Sequence, residues 1–192
     1  AIPSGTMTII EPNINIQKTG EKLNVDGVEM VFQMTPGAEA PAEMNIFLPQ
    51  LKAMWMAENT TNTLHNILTL RGAEVRDAKK WAAYINETIE LYGDNVEVKF
   101  QSHHWPVWGK VQVNDYLNKQ RDLYKYIHDQ SVYLMNQGYT GVEIANQIKL
   151  PSSLAQIWSN RDYYGTLSHN AKAVYQRYVG WYDGHPSSLN EL

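Results

Sequence analysis

Glu39, Glu58 and His103 share one kind of position in the sequence. Glu39 follows an alternating apolar run through the turn Thr35-Pro36-Gly37. Glu58 comes directly after the apolar run 53–57, and His103 follows the run 96–101 after Ser102. Functional side chains favour such loops, because a rigid sheet holds them while their backbone is released from pairing. Two carboxylates and an imidazole are sound ligands for a borderline divalent metal such as zinc. An acid in such a position, taken singly, is more often a solvated strand end or a helix cap. His103 and His104 are adjacent, and successive strand side chains point to opposite faces, so at most one of them is expected to be a ligand. His65, His128, His169 and His185 are scattered, and each is read as a capped or exposed histidine.

A second chemical signal is the pair Arg71 and Arg76, five residues apart ahead of a helical pattern. Guanidinium forks match tetrahedral oxyanions through paired N–H donors, and a helix start adds unpaired backbone donors. Two ordinary surface arginines beside a helix-initiating turn are the alternative.

The elements that must position these groups fall into two regions. Ile14, Ile16, Leu23 and Val25 alternate with polar residues up to Asp26-Gly27, and Val28, Met30, Phe32 and Met34 alternate after it. Period-two alternation on both sides of Asp-Gly predicts a β-hairpin with a type I′ turn. Residues 44–48, 53–57 and 96–101 read as three further strands. Between the last two, Ala78, Trp81, Ala82, Ile85 and Ile89 recur at helical spacing, with Gly93 as the stop. The segment Trp105-Pro106-Val107-Trp108-Gly109 reads as an ordered loop.

Beyond Lys110 the pattern is helical. Val113, Tyr116, Leu117, Leu123, Tyr124, Ile127 and Leu134 predict a long amphipathic helix ending near Gly138. Thr140 and Glu143 form a capping-box pair that opens a short helix through Ile148. Ser168 is expected to cap a last helix carrying Ala171, Val174, Tyr175, Tyr178 and Val179. Of 12 tyrosines only Tyr84 and Tyr92 precede Lys110. Tyrosines on helix faces indicate amphipathic packing against a neighbour, another subunit included. The expected class is therefore α+β, with a boundary at 110 that is a packed junction rather than a tether.

Composition removes several functions. The 16 Lys+Arg against 20 Asp+Glu give a net charge of −4, which does not suit a nucleic-acid footprint. No apolar run approaches the roughly 20 residues of a membrane span. Zero Cys excludes disulfides, thiolate zinc sites and a thiol nucleophile.

Longer motifs carry a family resemblance. Thr35-Pro36-Gly37-Ala38-Glu39-Ala40-Pro41-Ala42-Glu43-Met44-Asn45 resembles the alkyl sulfatase branch of the metallo-β-lactamase superfamily. The match continues through Ala57-Glu58-Asn59, Thr63-Leu64-His65-Asn66, Thr69-Leu70-Arg71-Gly72-Ala73, Val75-Arg76-Asp77, Ser102-His103-His104-Trp105-Pro106 and Trp108-Gly109. Ala173-Val174-Tyr175, Tyr178 and Gly180-Trp181-Tyr182-Asp183-Gly184 extend it. The resemblance implies a hydrolase of alkyl sulfates such as dodecyl sulfate, releasing an alcohol and inorganic sulfate. It implies that Glu39, Glu58 and His103 are ligands of a two-zinc site, with Glu58 bridging. It also implies that Asn66, Arg71 and Arg76 hold the sulfate, with Tyr175 reaching the same pocket. Residues 1–110 would be the C-terminal half of a metallo-β-lactamase αββα sandwich. Residues 111–192 would begin a helical dimerisation region, making a homodimer the expected assembly. The family points to a secreted or periplasmic location.

The departures matter too. No two histidines are separated by a single residue, so the superfamily's His-x-His-x-Asp-His motif is absent. The family's sterol-carrier-like C-terminal domain is also not found. The chain resembles a middle slice of a larger enzyme, expected to be inactive alone and to leave Met30, Phe32 and Met34 uncovered unless a partner, such as the N-terminal part, covers them. Two other readings stand beside it: a non-catalytic assembly module, and another metallo-β-lactamase-type hydrolase acting on neutral acyl substrates. The arginine pair argues against the latter, because such substrates need no guanidinium clamp.

Overall fold

The computed structural model describes residues 5, 6 and 8–181. The motif residues Tyr182, Asp183 and Gly184, and His185, lie outside them. The hairpin forms where Asp-Gly places it. Strand β1 (Lys22–Val25) pairs antiparallel with β2 (Val28–Met34), with Val25 opposite Val28. Asp26 at φ 50° and Gly27 at φ 85° supply the two positive φ values of a type I′ turn. Ile14 and Ile16 precede the hairpin without joining it, so β1 is shorter than the alternation predicts.

Strands β3 (Met44–Leu48) and β4 (Ala53–Trp55) continue an antiparallel meander. Helix α1 (Ala78–Tyr92) then crosses over, and β5 (Val98–Phe100) returns parallel to β4. A two-residue strand, β6 (Val107–Trp108), pairs with β5 and closes a six-stranded sheet in sequence order. Residues 107–108, expected as loop, are therefore an edge strand. Because β3 runs against both β2 and β4, strands β2, β4 and β5 all point the same way. The segments after them, which carry Glu39, Glu58 and His103, emerge at one edge of the sheet.

Helix α2 (Lys110–Asn136) packs on α1, and α5 (Leu167–Val179) packs on α2. Between them lie α3 (Gly141–Gln147) and the single turn α4 (Ser152–Ala155). The capping box of Thr140 and Glu143 opens α3 as expected. The cap of α5 is Thr166, not Ser168: the Thr166 hydroxyl accepts the His169 N–H at 3.1 Å. One apolar core joins the sheet to the helices. Trp81 of α1 stacks on Tyr124 of α2 with centroids 4.5 Å apart, both fully buried, and Val113, Leu117, Ile127 and Val174 share that core.

Gln33 of β2 points to α1, where its amide donates to the Tyr84 carbonyl and to Glu87. Alternation puts Met30, Phe32 and Met34 on the other face, with Ile46 and Trp55 beside them through the strand register. Phe32 is buried, whereas Met30, Met34, Ile46 and Trp55 remain half-buried.

Candidate metal and anion site

The site assembles at the sheet edge where β2, β4 and β5 end. Met56 N–H donates to the Phe100 carbonyl and Ser102 N–H to the Ala57 carbonyl, both at 2.8 Å, prolonging the β4–β5 pairing past the strands. Two residues there take left-handed backbone conformations, Ala57 at φ 47° and His104 at φ 68°. Such conformations are uncommon for side chains other than glycine and cluster at functional sites. Ala57 directly precedes Glu58, and His104 directly follows His103.

Glu58 lies between two imidazoles. Its Oε1 is 3.1 Å from His103 Nε2 and its Oε2 is 3.3 Å from His65 Nε2. His65 is buried, contrary to its reading as a capped or exposed histidine. Its Nδ1 lies 2.8 Å from the Asn66 carbonyl oxygen, which can only accept, so Nδ1 carries the proton. Burial lowers the His65 pKa, which favours the neutral ring. With Nδ1–H committed to that carbonyl, a neutral ring leaves its Nε2 lone pair facing a carboxylate oxygen, an arrangement that a cation between them would satisfy. Glu39, Glu58 and His65 each offer a ligand atom within 4.8 Å of the others. His103 touches this group through Glu58 and is the more exposed of the two histidines.

Glu43, which no local sequence signal marks, adjoins Glu39. Burial and the charge of Glu39 push its carboxyl up to about 7. The two acids come together because Gly37, at φ 78°, and the Gly37 N–H bond to the Ala40 carbonyl fold the 35–43 loop back on itself. Carboxylates gathered beside an imidazole are a donor set matched to a divalent cation.

The arginines separate. Arg76 is buried, ion-paired with Glu39 and hydrogen-bonded to the Glu39 carbonyl and to both oxygens of Asn66. Arg71 is exposed and lines a cavity of about 510 Å³ with Asn66, Thr69, Tyr164 and His169. A second cavity, of about 320 Å³, is bounded by Thr63, His65, His103, His104, Tyr163 and Tyr164. Tyr164 borders both cavities. Tyr175 is not brought to either cavity. Its ring packs against Gly141 in the groove between α3 and α5.

The helical region grips the site from outside the sheet. Asn170 of α5 accepts the Ile67 N–H and donates to the His65 carbonyl, both at 2.9 Å. Leu64 pairs with Arg161 and Gly165 through its backbone, and the Tyr124 hydroxyl reaches the His65 N–H at 3.4 Å. Sequence patterns miss these groups because they act across long stretches of chain, more than a hundred residues in the case of Asn170.

Known proteins place this geometry in context. Residues 140–192 match the alkyl sulfatase dimerisation family. The whole chain aligns with an alkyl/aryl-sulfatase of Saccharomyces cerevisiae at 52% identity, covering 30% of that protein. It aligns with a linear primary-alkylsulfatase of a Pseudomonas species at 49% identity over 98% of the chain and 28% of the relative. The solved stereoselective inverting sec-alkylsulfatase from Pseudomonas superimposes with a TM-score of 0.93 at 51% identity, over 96% of this chain and 29% of that one. A metallo-β-lactamase family protein from Thermus thermophilus shares the fold at a TM-score of 0.51 and 14% identity, over 88% of this chain and 50% of that one. The chain is thus related to the alkylsulfatases along its whole length and has their metallo-β-lactamase-like α+β fold. It spans about 30% of the length of the curated relatives it matches.

Proposed function

We propose that this chain supplies the carboxylate-rich half of a two-zinc centre in an enzyme that hydrolyses alkyl sulfate esters to an alcohol and sulfate. The observation that carries the reading is the convergence of Glu39, Glu58 and His65 donors, with His65 Nε2 turned to a Glu58 carboxylate oxygen. In this reading Glu39, Glu58 and His103 hold zinc, Glu58 bridges, and His65 offers a further imidazole. Bound zinc would supply an acidified water and neutralise charge on the ester oxygens. Arg71 and Asn66 then receive the sulfate group in their cavity. Arg76 braces Asn66 from behind and holds Glu39 in place. Tyr163 and Tyr164 offer aromatic walls to the apolar part of the substrate. Tyr175 enters the pocket only if the groove beside Gly141 rearranges. The domain division at residue 110 belongs to the same proposal, as does a homodimer built on the region matched at 140–192.

Calorimetric titration of the chain with zinc tests the site directly. Saturable binding, lost in Glu58→Gln, is expected; no binding at micromolar zinc overturns it. Sulfate release from dodecyl sulfate by the whole protein, abolished by a chelator and restored by zinc, tests the activity. Light scattering tests the dimer.

A further inference from the structure

Lys99 is fully buried on β5, facing the same side as its strand partner Met54. Among the described residues no carboxylate pairs with it. Desolvation alone drives its amine well below the ordinary lysine range. A methionine would fill that space without the cost of burying a polar group, so the amine is held there by what it bonds. Its Nζ donates to Gln101 Oε1 at 2.9 Å and lies 3.7 Å from the centre of the Tyr116 ring.

Both contacts lead to the same loop. Gln101 Nε2 donates to the His103 carbonyl at 2.6 Å and to the Trp105 carbonyl at 3.0 Å. The Tyr116 hydroxyl, on α2, donates to the Thr61 carbonyl at 2.6 Å. The next residue, Asn62, donates from its side chain to the Trp105 carbonyl and from its backbone to His104 Nδ1. Between these anchors His104 is held at φ 68°, a conformation that needs support from its surroundings.

We propose that Lys99 is a positioning residue for His103, holding residues 102–105 through Gln101 on one side and Tyr116 on the other. The inference rests on His103 being a metal donor, and it adds a link from α2 to that donor. Outer groups of this kind orient metal-binding imidazoles, and their loss typically weakens metal binding about 10- to 100-fold.

The test compares Lys99→Met, Gln101→Met, the double variant and Gln101→Glu in the 192-residue chain. The first readout is amide hydrogen exchange at residues 101–105, where Ser102 N–H is bonded to the Ala57 carbonyl. Amides of α1 serve as the folding control. Each single variant is expected to speed loop exchange about tenfold or more while leaving α1 protected. The double is expected to behave like either single, because contacts acting in one chain are not additive. Gln101→Glu keeps an acceptor for Lys99 and removes the two donors, so it should release the loop as Gln101→Met does. It also carries the test if Lys99→Met fails to fold. Unchanged loop exchange, or strictly additive effects, overturns the proposal. Zinc affinity is the second readout, expected to fall about 10- to 100-fold in the singles. His103→Ala separates the two claims: zinc binding unchanged in that variant overturns the ligand role, whereas loop exchange decides the role of Lys99.

Discussion

His65 turns its Nε2 toward Glu58 Oε2 at 3.3 Å while its Nδ1 lies 2.8 Å from the Asn66 carbonyl oxygen. With Nδ1–H bonded to that carbonyl, a neutral ring leaves Nε2 a lone pair, which a cation shared with Glu58 would satisfy. Replacing Glu58 by Gln puts an N–H donor within reach of that lone pair. Glu58→Gln is therefore expected to unfold at the same temperature as the unaltered protein or a few degrees higher without zinc. Zinc affinity should fall at least tenfold. Melting curves with and without zinc show both.

The two arginines predict different failures. If Arg71 holds the sulfate as proposed, Arg71→Lys in the whole protein keeps the charge but loses the fork, with an expected loss of about 1.5–3 kcal/mol, or roughly 10- to 150-fold in kcat/KM for dodecyl sulfate. Zinc content should stay unchanged. Arg76→Met instead leaves the largely buried Glu39 unpaired, which typically costs about 3–5 kcal/mol of stability. Denaturant midpoints separate the two: the first variant keeps its midpoint and the second loses it.

Gly165 lies against the site segment with no room for a side chain. A Cβ there would sit 2.5 Å from the His65 carbonyl oxygen and 2.6 Å from the Asn66 nitrogen. These are backbone atoms, so the segment itself must move. Gly165→Ala is expected to displace residues 65–66 and reduce zinc affinity and stability together. The corresponding change at Gly138, where a Cβ meets nothing within 4 Å, should cost only the strain of its positive φ. Parallel zinc titrations of the two variants check the contrast.

Lys99 gives a pH signature. Its folded pKa lies below the unfolded value near 10.4, so the unfolded chain binds more protons between the two. Stability from this group therefore rises with pH through that window, and its full penalty is present below the folded pKa. Lys99→Met removes the penalty. The variant is expected to gain more in melting temperature at neutral pH than above the unfolded lysine pKa. A gain that grows toward high pH has the wrong sign and excludes the assignment.

Much of this architecture is legible locally. Asp26-Gly27 announces its turn, Thr140 and Glu143 their cap, and the apolar spacing from Ala78 its helix. Glu39, Glu58 and His103 stand out because each follows a strand, and parallel strand directions bring those ends together. His65 carries no such mark. It lies on an irregular buried stretch whose course is set by Tyr124, Gly165 and Asn170, far away in sequence. The start of α5 offers two hydroxyls as caps, and Thr166 takes the role with φ −131°, outside the helix. Two-residue β6 is too short for any alternation to register.

The bonds from Asn170 to His65 and Ile67 span 105 and 103 residues. During synthesis the segment 64–68 leaves the ribosome well before α5 exists. At about 5–20 residues per second, roughly a hundred further residues take some 5–20 seconds. Through that interval His65 has its sheet-side neighbours but not the brace that sets its carbonyl and the next amide. The 64–68 segment is thus fixed late, by the last described helix. Pulsed proteolysis of chains stalled before and after residue 170 should find the 64–68 stretch cleavable in the first and protected in the second.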